Sequence, residues 1–150
     1  MSLSEVIRAA YAVTPRPDAK NITHCPCEEC REIASYFTDK TWEGLEIDDL
    51  RRHETALFHC TPEAFRYYLP AFMLAVVDGI ERAEAIPDLI VWNLTPHADH
   101  PDGALPEERI GQFSKDERSA VAAFLRFLIE IGDCQPAEVA PALAALEAPR

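Results

Sequence analysis

Along most of this chain apolar residues recur three and four positions apart, the period of a helix with one buried face. Leu3, Ile7, Ala10 and Tyr11 predict a short opening helix that Ser2 or Ser4 can cap, and Pro15-Arg16-Pro17 ends it. A second helix is predicted to begin near Pro26, whose missing N–H suits a first helical position. Its apolar stripe reads Cys27, Cys30, Ile33, Ala34 and Phe37, with Glu28, Glu29, Glu32 and Ser35 on the other side. A third helix is predicted from Ile47 to Phe58, with Ile47, Leu50, Glu54 and Leu57 along one side and His53 on the inner stripe.

Thr61-Pro62-Glu63 is a start signal: a capping hydroxyl, a proline for the first position and an acid near the positive helix end. From Ala64 to Val77 apolar residues then occupy nearly every side, with Arg66 the only charge, so this helix should be packed all round. Pro70 in its interior predicts a kink, and Gly79 a stop. Pro87 to Trp92 is read as a short helix, although Leu89-Ile90-Val91-Trp92 also suits a strand. Thr95 to Pro106, with three prolines and a glycine, is read as a long exposed loop. Ser114-Lys115-Asp116-Glu117 is a capping box before Val121, Phe124, Leu125 and Leu128, and Gly132 should terminate that helix. Pro136 to Leu146 predicts a final Ala-rich helix, weakened by Pro141. The pattern implies an all-α single domain of six to eight helices around a central kinked helix, with the Ser114 helix packed beside it.

Charge narrows the partners. Among 150 residues, 26 acids face 14 bases, a formal net charge of −12. Such a field repels nucleic acid and anionic lipid and would steer in a protein with a basic surface. The first residues, Met1-Ser2-Leu3-Ser4-Glu5, lack the basic and apolar regions of a secretion signal, so a cytoplasmic location is expected. The most apolar run, Leu69 to Val77, is too short for a bilayer span. Five cysteines, an odd number, are then expected as reduced thiols rather than a disulfide framework.

Chemistry concentrates in His24-Cys25-Pro26-Cys27-Glu28-Glu29-Cys30. Cys27 and Cys30, three apart in a first helical turn, share a face and could bite one zinc ion. His24 or Cys25 would add a third ligand, and His53 is the favoured fourth, ahead of His59 or Cys60, because its face points inward. The same Cys-x-x-Cys at a helix start also suits a redox dithiol, although the strand that precedes it in thioredoxin-like βαβ units is missing. Both cysteines equally continue the apolar stripe, where a thiol packs as a small hydrophobe. All three uses stay open. His97, Asp99, His100 and Asp102 are a second ligand-rich segment whose spacing fits no metal motif and which reads as a polar turn. His59-Cys60 lacks an orienting third group for nucleophilic catalysis, and Trp42, Tyr67, Tyr68 and Trp92 read as core and rim aromatics.

Cys27-Glu28-Glu29-Cys30, the Phe37-to-Trp42 step, the block Thr61-Pro62-Glu63-Ala64-Phe65-Arg66-Tyr67-Tyr68-Leu69-Pro70-Ala71-Phe72 and the Arg109-to-Phe127 segment together resemble a family of uncharacterised bacterial proteins carrying a domain of unknown function. The resemblance spans most of the chain, is most specific at Phe-Arg-Tyr-Tyr-Leu-Pro-Ala, and implies bacterial origin and one compact domain; it transfers no catalytic residues. With no acid/base pair, cofactor fingerprint or paired nucleophile in the sequence, no catalytic residue or bound cofactor is expected. The leading expectation is a non-enzymatic acidic protein-interaction module. The alternative is a zinc-binding or thiol-redox protein centred on His24 to Cys30.

Overall fold

The computed structural model describes residues 1–96 and 105–149, and everything in it is organised around one helix. Among the described residues the chain forms nine α-helices and no strand: α1 Leu3–Tyr11, α2 Glu28–Phe37, α3 Ile47–Arg52, α4 Ala56–His59, α5 Pro62–Asp78, α6 Ile86–Leu94, α7 Pro106–Gln112, α8 Lys115–Glu130 and α9 Pro136–Glu147. A 3-10 turn, Ile80–Arg82, follows α5.

Helix α5 is the hub. Thr61 caps it by accepting the Ala64 amide at 3.1 Å, Pro62 opens it, and of the residues from Ala64 to Leu74 only Arg66 is not buried. The helix continues through Pro70, which leaves the Arg66 carbonyl without its usual amide four residues on. Helices α1, α3, α6 and α7 pack around α5. The Tyr68 hydroxyl, on α5, lies 2.7 Å from the Phe37 carbonyl and 2.8 Å from that of Lys40, so its proton serves the unpaired end of α2. Arg16 and Lys40 donate to two more carbonyls there, those of Thr38 and Tyr36. Phe37 meets the Tyr68 ring at a tilt and the Tyr36 ring edge-on, and Tyr36 stacks on His53.

Two elements differ from the sequence expectation. The helix predicted over Ile47 to Phe58 is two helices: the chain leaves α-geometry at His53, φ −116° and ψ 25°, and resumes at Ala56. Leu50 and Leu57 are both buried, yet α3 packs on α5 while α4 packs on α2 and α6, and a straight helix could not serve both surfaces. Helix α7 is additional: Pro106 stands in its first turn rather than ending the loop, and Ile110 and the Arg109 side chain are buried. These two changes raise the helix count above the expected six to eight.

The Ser114 capping box forms as predicted and α8 ends at Gly132, whose φ of 76° suits glycine. Helix α8 packs chiefly on α1 and α9, and it reaches the central helix through Glu117. The 87–92 segment is helical, within α6. Trp42, Tyr67 and Tyr68 are buried and Trp92 sits at the rim, 38% exposed. No helix of the described residues is long and apolar enough to cross a membrane.

Candidate metal centre

Helix α2 starts two residues later than proline placement suggests, and the shift reorders the cysteines. Cys27 is not the second residue of the helix but its cap, in extended geometry (φ −68°, ψ 163°), and its sulfur accepts the Cys30 amide at 3.4 Å. A thiol here takes the place that Ser or Asp usually fills at a helix start. Cys27 is therefore turned out of the apolar stripe and exposed, while Cys30 is wholly buried with Ile33 and Phe37. The Cys25 sulfur in turn accepts the Cys27 amide at 3.2 Å. The result is a set of three sulfurs, Cys25, Cys27 and Cys30, all within 4.8 Å of one another.

The loop bearing them is fixed from behind. Thr23 forms an isolated antiparallel bridge with Cys60, the His24 amide donates to the His59 carbonyl at 3.2 Å, and the Thr61 amide donates to the Ile22 carbonyl at 3.0 Å. The Thr61 hydroxyl donates to the Asn21 carbonyl at 2.8 Å while accepting from Ala64, so one side chain both anchors the loop and caps α5. Ile22 is buried beneath this junction, and the Thr23 hydroxyl donates to the Cys30 carbonyl at 3.4 Å.

The electrostatics of the three thiols differ. The hydrogen bond with Cys25, then that from the Cys30 amide, hold the Cys27 thiol below its ordinary value. Burial, reinforced by Cys27, pushes the Cys30 thiol up to about 12. Of these two thiols, Cys27 is the readier to lose its proton. A dication placed among the sulfurs would favour deprotonation of all three.

Among the described residues, no ring nitrogen belongs to the three-sulfur group. His24 lies exposed at the edge of the loop. His53 stacks on the Tyr36 ring with centroids 4.1 Å apart, and burial followed by Arg52 lowers its imidazole below the usual value. His59 places Nε2 3.5 Å from Glu29 Oε2, in the first turn of α2. Cys60 is buried, and burial raises its thiol to about 12 despite nearby Arg109. The His97, Asp99, His100 and Asp102 segment lies outside the described residues.

A second group, Asp88, Asp133 and Cys134, brings its ligand atoms within the same spacing, at a surface cavity of about 320 Å³ that Trp92 and Glu138 also line. Burial and the acids around it raise both the Asp88 carboxyl and the Cys134 thiol, the latter to about 12. Its members come from the first turn of α6 and the connection between α8 and α9, a juxtaposition that no local spacing announces. The core also holds a guanidinium that the sequence reading did not single out. Arg109, 1% exposed, donates to the carbonyls of Asn93 (3.2 Å) and Phe58 (3.4 Å) and lies over the Phe65 ring. Burial lowers it to about 10.

Neither the curated proteins nor the solved structures contain a match to the chain. The model of a family of unknown function, DUF6714, matches residues 1–146, and the chain belongs to that family.

Proposed function

We propose that this protein binds a zinc ion through the thiolates of Cys25, Cys27 and Cys30. The observation that carries the reading is the convergence of three sulfurs within 4.8 Å, two of them already accepting backbone amides that orient them. Three thiolates form a soft donor set, which favours zinc over magnesium or calcium. Cys25 and Cys27 are exposed, so the fourth position faces solvent and is left to water or an incoming ligand. Zinc sites that exchange ligands or do chemistry are built in this way, with three protein ligands and one open place. The ion is not needed to complete the core, whose buried cluster extends from Ile7 to Leu146.

The test is a titration of chelator-stripped, reduced protein with zinc in competition with a chromophoric chelator. One equivalent should bind, and Cys25→Ser, Cys27→Ser and Cys30→Ser should each weaken it by about tenfold or more. Retention of one equivalent at unchanged affinity by the triple serine variant would overturn the assignment.

A second reading, an acidic module that docks a basic protein surface in the cytoplasm, is supported by the net charge of −12 and by Asp88 and Glu138, which line a cavity with the exposed Trp92, and Asp133, grouped with Asp88. An oligolysine peptide that quenches Trp92 emission at low salt, and fails to do so in Asp88→Asn/Asp133→Asn protein, is the outcome this reading requires.

A further inference from the structure

We infer that the metal-free site is a dithiol/disulfide couple in which Cys27 attacks and Cys30 resolves, with low-molecular-weight disulfides as the oxidising substrate class. The inference rests on the same reading of the three-sulfur cluster as a reactive site, but not on zinc being its ion. Three geometric facts carry it. Cys27 is exposed at the cap of α2, so a small disulfide can approach its sulfur. Cys30 is wholly buried one turn later, so it is shielded from direct attack, yet its amide donates to the Cys27 sulfur at 3.4 Å and keeps the two residues together. The two sulfurs lie within 4.8 Å, a gap that side-chain rotation and a small backbone adjustment close to a bond of about 2.0 Å.

The division of labour follows from this asymmetry. The Cys27 thiolate attacks one sulfur of R–S–S–R, forming Cys27–S–S–R and expelling R–S⁻. The Cys30 thiol then loses its proton to solvent and attacks the Cys27 sulfur, forming the Cys27–Cys30 disulfide and expelling the second R–S⁻, which is protonated. Two electrons leave the protein dithiol and reduce one small disulfide to two thiols. Cys25 is the spectator: its sulfur accepts the Cys27 amide, and a Cys25–Cys27 bond would close a tighter ring with one intervening residue. Where zinc is bound, the same reaction removes two of its three ligands and releases the ion. The site would then hold metal under reducing conditions and a disulfide under oxidising ones.

Oxidised glutathione is the probe. Reduced, chelator-stripped full-length protein treated with it should lose two protons' mass and yield a Cys27–Cys30 cross-linked peptide. Cys30→Ser should instead accumulate a stable glutathione adduct at Cys27, and Cys27→Ser should react about tenfold more slowly or worse. Cys27→Ala repeats that test with a different side chain, and helical circular dichroism of each variant shows whether the fold is intact. A disulfide joining other cysteines, or an unchanged rate in both folded Cys27 variants, overturns the inference. Zinc-loaded protein that binds one equivalent and forms no Cys27–Cys30 bond when oxidised overturns it while leaving the zinc reading standing. Protein that forms the bond yet retains no zinc does the reverse.

Discussion

Arg66 on the central helix places its Nε 2.7 Å from Oε1 of Glu117 on α8, and the carboxylate is only 1% exposed. The same carboxylate accepts the Ser114 amide at 2.6 Å and the Thr14 hydroxyl. One side chain thus completes the α8 cap, pairs the only charge within α5's buried run and ties down the segment after α1. The buried Tyr11 hydroxyl stands beside it, its ionisation opposed first by burial and then by Glu117.

Removing that carboxylate strands Arg66 and uncaps α8 together. Glu117→Ala should lower the unfolding free energy by about 3–5 kcal/mol, the cost of breaking a buried pair from one side. Glu117→Gln, which keeps an acceptor, should cost less. Urea midpoints at neutral pH measure both, and equal losses for the two variants would show that the charge itself contributes nothing.

Among the described residues no carboxylate pairs with the buried Arg109, which is held by two carbonyls and an aromatic face. Arg109→Ala leaves both carbonyls unpaired and a cavity between α4, α6 and α7, for an expected loss of about 3–5 kcal/mol. Arg109→Met fills that space and avoids desolvating a cation, so its loss should be the smaller of the two. Thermal unfolding of the pair decides the order.

His53 makes stability depend on pH. Burial and then Arg52 hold its imidazole below the ordinary value, so the unfolded chain takes up the proton first as pH falls. The stability this contributes is complete above about 6.5, the unfolded value, and is lost as pH falls through the lower folded value. Between pH 7 and pH 5, wild-type protein should lose more unfolding free energy than His53→Gln, in which that term is missing. A parallel decline in both would rule His53 out as its source.

Cobalt offers a spectroscopic reading of the metal centre. Co²⁺ added to reduced protein should produce thiolate-to-cobalt charge-transfer absorption that saturates at one equivalent and collapses as pH is lowered, because the ligating thiols must be deprotonated. Cys60→Ser and Cys134→Ser, at buried thiols outside the three-sulfur group, should leave the band unchanged.

Much of this was legible from local chemistry. Thr61-Pro62 and the Ser114 box announced α5 and α8, because caps and first-turn prolines act through neighbours a few residues away. The apolar run from Ala64 to Val77, interrupted only by Arg66, marked the hub. The break at His53 was not legible: it arises because α3 and α4 dock on different helices, a tertiary demand that overrides a sound helical period. Helix α7 escaped notice because its buried face is completed by Arg109, a residue that pattern reading assigns to solvent. At the cysteine cluster the residue types were plain but the register was not. A two-residue shift of the helix start turned Cys27 from a core position into a cap, grouped with Cys25 and Cys30.

All three sulfurs come from six consecutive residues, Cys25 to Cys30. A chelate that local survives, in part, when the rest of the chain unravels. A ligand stabilises a fold only by the ratio of its affinities for the native and denatured chains, so a metal held tightly here would raise the melting temperature far less than its dissociation constant alone implies. The native contribution is the backbone bridge to residues 59–61 and the amides aimed at two of the sulfurs; these preorganise the loop. Affinity and thermal stability would thereby be uncoupled, and an ion bound here could be gained or surrendered without unfolding the chain.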